Sequence, residues 1–171
     1  MKKGILVSLL GLFLIGCDTV INGLTSPEPS YVDLPLGQNK TITINVENGF
    51  HKKPYVVSLR IEYPNAMAVK NGYAIAGDKA KKLPFNIRIK GYKVENNKET
   101  LFMENDVKQL GYISGGSNTN KREDIAFITH IDTIYLSKGL YKFVITDNSI
   151  QNDEYEKIKT SIGIYVLTRK F

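Results

Sequence analysis

The chain contains no tryptophan, a single cysteine and only two histidines among its 171 residues. One cysteine forbids an intramolecular disulfide, so stability has to come from a hydrophobic core. The histidines, His51 and His130, are far apart, and no repeated Cys/His spacing suggests a zinc site, which takes three or four ligands. Gly-x-Ser-x-Gly, His-Glu-x-x-His and phosphate-cradling loops are also missing. The strongest pair in the sequence, His130 and Asp132, would share one face of a strand and reads as a polar strand surface. Ser114-Gly115-Gly116-Ser117 resembles no nucleophile elbow. We therefore expect no enzyme, no cofactor and no metal. The net charge is +6, without the stripe of basic residues and interleaved aromatics that marks nucleic-acid binding.

Long apolar runs are equally scarce, with one exception at the start. Lys2 and Lys3 precede an eleven-residue, largely apolar stretch, Ile5–Ile15, that ends at Gly16-Cys17. At 1.5 Å per residue it spans roughly 16 Å, too short for a hydrocarbon core of about 30 Å. A basic n-region, a short apolar h-region and a small residue before the break define an export signal. Leu14-Ile15-Gly16-Cys17 resembles the lipobox of bacterial lipoproteins. That resemblance implies cleavage between Gly16 and Cys17, a diacylglyceryl thioether on Cys17 and acylation of the new amino terminus. Two or more acyl chains hold a protein on a bilayer stably. Asp18 resembles the signal that retains lipoproteins in the inner membrane, so the expected location is the cell envelope, anchored by lipid and facing the periplasm. Without residues 1–16 the chain keeps 21 Lys and Arg against 17 Asp and Glu, a net +4. Its short basic clusters, Lys52-Lys53, Lys79, Lys81-Lys82 and Lys121-Arg122, read first as solvated surface, attraction to anionic lipid headgroups being the alternative.

Residues 17–30, punctuated by Gly23, Ser26, Pro27 and Pro29, read as a flexible tether. From Tyr31 onward the dominant period is two. Ile42, Ile44 and Val46 alternate with Thr and Asn; Tyr55, Val57, Leu59, Ile61 and Tyr63 alternate with Val56, Ser58, Arg60 and Glu62; Phe85, Ile87 and Ile89 alternate with Asn86, Arg88 and Lys90. Such segments are half-buried antiparallel strands. Thr100–Glu104, Ile125–Leu136, Leu140–Thr146 and Ser161–Thr168 are shorter candidates. The expected fold is all-β, an immunoglobulin-like antiparallel β-sandwich of seven or eight strands over residues 31–171. Asn65–Lys82 interrupts it as a short irregular or helical insertion.

Leu136-Ser137-Lys138-Gly139-Leu140-Tyr141 looks like the tyrosine corner of immunoglobulin-like sandwiches, with Gly139 at the turn and Tyr141 bonding back to upstream backbone. Together with the lipobox, Tyr55–Tyr63, Leu83–Ile89 and the closing Ile162-Gly163-Ile164-Tyr165, this corner gives the chain a resemblance to an uncharacterised family of small bacterial lipoproteins with one β-sandwich domain. The resemblance implies an immunity-type role: a non-enzymatic module that binds and neutralises a toxin or lipase effector delivered by a competitor. An envelope housekeeping role, binding a lipid, glycan or assembly subunit, is the alternative. The polar stretch Ser114–Asp124 reads as a mobile loop, and its Asn118, Lys121, Arg122, Glu123 and Asp124 are the expected partner-binding residues, Arg122 first among them.

Overall fold

A computed structural model describes residues 19–22, 30–68, 70–108, 113–118 and 123–167. Eight strands run in chain order: β1 (Thr19–Asn22), β2 (Tyr31–Asp33), β3 (Thr41–Tyr63), β4 (Ile87–Glu95), β5 (Lys98–Val107), β6 (Ile113–Asn118), β7 (Ile125–Asp147) and β8 (Lys159–Val166). One helix, α1 (Gly72–Lys82), follows a short 3-10 turn at Ala66–Ala68. The fold is all-β and sandwich-like, as the alternation predicts.

Two strands of 23 residues each organise it. β3 and β7 pair antiparallel along nearly their whole length, with register breaks between Asn48 and Lys52 and between Val57 and Ser58. The first break divides the ribbon. On one side, Thr41–Asn48 pairs with Gly139–Thr146, and β7 carries β4, which carries β5. On the other, Lys52–Tyr63 pairs with Ile125–Ser137, flanked by β8 and then β2 on the β3 side and by β6 on the β7 side. An immunoglobulin-type sandwich keeps each strand in one sheet; here β3 and β7 serve both. The inward residues Ile42, Ile44, Val46, Phe143, Ile145, Ile87 and Ile89 of the first half and Tyr55, Val57, Leu59, Ile61, Phe127, Ile162 and Ile164 of the second form one core. Ile44, Leu59, Ile61, Ile87, Ile89, Phe143, Ile145 and Ile162 are fully buried; each such side chain contributes about 1.5–3 kcal/mol relative to exposure.

The bend between the halves is built from polar side chains. Asn48, buried, donates from Nδ2 to the carbonyls of Leu136 (2.7 Å), Ser137 (2.9 Å) and Phe50 (3.1 Å). Its Oδ1 accepts from the Phe50 amide at 3.1 Å and the Tyr55 hydroxyl at 3.4 Å. Within the facing strand β7, Tyr141 donates to the Ser137 carbonyl at 2.9 Å, the tyrosine-corner bond. Gly139 sits between them at φ +151, where a side chain would strain the backbone. Lys138-Gly139 is therefore no hairpin turn but a bend inside a continuous strand, and the two expected strands flanking it are one.

Two further expectations change. Thr19–Asn22, expected in a flexible tether, is β1 and pairs in parallel with Ile44–Glu47. Ser114–Asn118, expected in a mobile loop, belongs to β6 and pairs with β7; its glycines hid the strand from the period-two pattern. The insertion expected at Asn65–Lys82 is largely helical. Asn71 holds a left-handed conformation (φ 61) just before α1, and a Cβ on Gly72 would lie 1.5 Å from the Ala66 carbonyl oxygen. Asn71-Gly72 starts the helix, the glycine allowing this close approach.

Candidate functional site

The ends of the sandwich differ in character. At the end remote from the bend, β3 stops at Tyr63 and the chain turns through Pro64-Asn65 into α1. Gly72, Ala76 and Ala80, four residues apart, form the buried stripe of the helix. Tyr73 and Ile75 point outward and are each about half exposed, as is Met67 of the preceding turn. Tyr73 packs on Phe127 with ring centroids 5.5 Å apart. Lys79, Lys81 and Lys82 occupy the last turn, where cations complement the helix dipole.

Beneath α1 lies an open cleft of about 360 Å³, lined by Tyr63, Ile75, Lys79, Lys82, Leu83, Pro84 and Glu154 among others. Lys79 Nζ bridges it to Glu154 Oε2 at 3.4 Å, and Lys157 Nζ holds the other Glu154 oxygen at 2.8 Å. The Lys157 hydrogen bond, aided by Lys79, keeps the Glu154 carboxyl below the usual range. Tyr63 is buried, and its hydroxyl finds no partner among the described residues. Burial, with the Glu154 charge adding, pushes its pKa up to about 12, so it remains a neutral phenol at physiological pH. Next to the cleft, Tyr155 donates to the Pro84 carbonyl, and the fully buried Asp147 carboxylate accepts from the amides of Gln38 (3.0 Å), Asn39 (3.2 Å) and Ser149 (3.0 Å). These bonds fix the connections around the apolar rim of Ile75, Pro84 and Ile150, the last 89% exposed.

The sequence-predicted residues fall partly on this end. Asp124 is not an exposed binding residue: it is buried, and its Oδ1 accepts the Asn65 amide at 2.8 Å. A short carboxylate placed to tie a turn reads in sequence like any other loop acid. Glu123 is exposed, and its carbonyl accepts the Met67 amide at 2.8 Å. Together these bonds bring the 123–124 segment beside the 65–68 turn, joining two regions that the sequence reading kept apart. Asn118 closes β6 opposite Ile125. Lys121, Arg122 and the Gly16-Cys17 junction lie outside the described residues. Sequence reasoning missed the apolar rim; the half-exposed Tyr73 and Ile75 on an otherwise Ala/Lys helix were its signal.

His130 and Asp132 do not form a working pair. A bulge at Ile131 separates them in the ladder, where Ser58 faces His130 and Val57 faces Asp132. His130 Nε2 bonds the Thr133 hydroxyl at 2.8 Å. Asp132 accepts from the Thr133 amide at 2.7 Å and from Asn105 at 3.3 Å. Among the described residues, no group of three or more His, Cys, Asp or Glu is arranged to hold a metal ion, and no helix is long and apolar enough to cross a membrane. What this geometry offers is a fixed, partly apolar surface with charged edges.

Sequence comparison places residues 36–166 in the family described as a domain of unknown function (DUF5625). The match spans most of the chain, both halves of the ribbon included, and the protein belongs to that family. No curated protein matches the chain significantly. Among solved structures, a Sulfurospirillum deleyianum protein, GEBA250068378, superposes with a TM-score of 0.54 at 18% identity, covering 84% of this chain and 100% of its own. That likeness concerns the fold alone. The mosquito-larvicidal Cry4Aa toxin from Bacillus thuringiensis aligns at a TM-score of 0.37 and 12% identity, over 89% of this chain and 25% of the toxin.

Proposed function

We propose that the protein is a lipid-anchored, periplasm-facing envelope protein whose sandwich is a non-enzymatic protein-binding module, most concretely an immunity protein against a toxin or lipase effector. The observation that carries this reading is the α1 end. Met67, Tyr73 and Ile75 present large apolar side chains there to solvent, with Ile150 on the far side of Pro84, on elements tied down by the buried carboxylates of Asp124 and Asp147. Apolar groups rimmed by charge on a rigid scaffold are the usual makings of an interface. The lipobox-like segment supplies the location, because an effector acting in the envelope is best met there.

The test is a kin competition. A strain lacking the gene is co-cultured in contact with its parent, which carries any cognate effector. The reading expects the mutant to be outcompeted, with fitness restored by the full chain and restored less well by Ile75→Asp. Equal survival of mutant and parent under contact would refute the immunity role. Lipid binding in the α1 cleft is the second reading, favoured by its apolar lining; protection of Tyr63 or Ile75 resonances by lipid but by no protein would select it.

A further inference from the structure

We infer that the bend where β3 and β7 switch sheets is a second membrane contact, docking on an anionic bilayer surface beside the lipid anchor. The inference rests on the lipoprotein reading for the location of the bilayer. The bend gathers three exposed apolar side chains: Phe50 (39% exposed), Tyr135 (64%) and Leu140 (52%). Lysines accompany them. Lys52 Nζ lies 5.6 Å from the Tyr135 ring centroid and Lys53 Nζ 4.7 Å from that of Phe50, and Lys138 is exposed in the facing segment. Among the described residues, none of these three lysines pairs with a carboxylate, whereas nearby Lys93 and Lys142 are matched by Glu95 and Glu99. Glu47, opposite Leu140 in the ladder, is outnumbered.

Aromatic rings that carry a cation suit the headgroup layer: the ring enters the interface and the ammonium reaches phosphate. The unbalanced charge selects an anionic surface. β1 runs parallel to β3 with Thr19 opposite Ile44 and Asn22 opposite Glu47, so the chain before Thr19 leads away from the bend. Asn48, where the bend begins, is four residues beyond Ile44, roughly 13 Å of strand, and Cys17 precedes Thr19 by two residues, a reach of about 7 Å at most. Anchor and bend thus lie within about 20 Å of each other, a span over which both touch one bilayer when the β1-bearing edge of the sandwich is laid along it.

The full chain, coupled through Cys17 to maleimide-bearing lipid, tests this whether or not cells acylate it. Amide hydrogen exchange is compared on vesicles of phosphatidylcholine alone and of phosphatidylcholine mixed with phosphatidylglycerol. Exchange over 48–54 and 134–140 should slow at least ~threefold on the anionic vesicles. The protection should disappear in about 1 M salt, where screening falls to about 3 Å, and in the variant Lys52→Glu/Lys53→Glu/Lys138→Glu. Equal exchange on both vesicles, or protection that survives the charge reversal, overturns the inference. Mass spectrometry of chain purified from cell membranes separately reads whether Cys17 is acylated, so failure of the anchor is not mistaken for failure of the bend.

Discussion

Asn48→Ala is the sharpest test of how the two halves of the sandwich are joined. The side chain is 1% exposed and bonds to four residues on two strands. An amide NH2 has two hydrogens for three carbonyls, so two strong bonds and one shared one are the realistic count, with Leu136 and Ser137 the nearest acceptors at 2.7 and 2.9 Å. Alanine removes these bonds at about 1 kcal/mol each net, and strands the Leu136 carbonyl and Tyr55 hydroxyl at a further ~1–3 kcal/mol. The expected loss is about 4–6 kcal/mol. A domain of this size has about 5–15 kcal/mol in all, so the variant should fold but much less stably, with its melting temperature lowered by roughly 10–20 °C. Urea unfolding followed by far-UV circular dichroism reads it, there being no tryptophan to follow. Asn48→Asp should be worse than alanine, because it faces the same carbonyls with an acceptor and buries a charge. A midpoint for the alanine variant within about 0.5 kcal/mol of the parent, or a milder effect from aspartate, would refute the account of the bend.

Tyr141→Phe, which removes the bond to the Ser137 carbonyl while the ring stays packed on Phe102, should cost about 1–2 kcal/mol, read from the same urea curves. Burial holds both Tyr31 and Tyr63 at about 12 against an ordinary 10.0. Their contribution to stability is therefore complete below about pH 10 and is lost as pH rises toward 12, and alkaline melts of Tyr63→Phe should flatten over that window. Cys17→Ala should abolish incorporation of an alkyne-labelled fatty acid; continued labelling would place acylation elsewhere. Arg122→Ala should leave the melting temperature unchanged within error and weaken protection in the kin competition, since a guanidinium forks onto partner carboxylates; full protection would confine the interface to the apolar rim of α1.

Much of the fold was legible because most of its strands have one wet face. The alternations at 42–46, 55–63 and 85–89 locate the inward residues of β3 and β4, and those residues are buried. What period two does not show is whether neighbouring strands are one. Asn48 to Lys52 and Lys138-Gly139 carry the polar and glycine residues of a turn, and a turn is the economical reading. Only the opposite half of the ribbon, supplying carbonyls to Asn48 across 88 and 89 positions of sequence, converts the turn into a bend. β6 escaped for a related reason: in Ile113–Asn118 every residue after the isoleucine is Ser, Gly or Asn, so there is no apolar alternation to read.

The site was legible only as a neighbourhood. Loop acids and bases at 118–124 were chosen for polarity, and polarity does not separate a carboxylate that meets solvent from one that ties a turn. Asp124 is the second kind, and the bond it makes to Asn65 draws the loop toward α1. Glu123 and Asp124, singled out in sequence, and the apolar residues found in the structure are thus neighbours. Glu123 stands beside Met67 through a backbone bond of 2.8 Å, so a partner seated on Tyr73 and Ile75 would also reach the segment that leads to Arg122. Binding energy concentrated in a central apolar cluster, with charge at its margin tuning encounter, is how such surfaces work. Ile75→Asp should therefore act on the lifetime of a complex, and Arg122→Ala chiefly on its rate of formation and its sensitivity to salt.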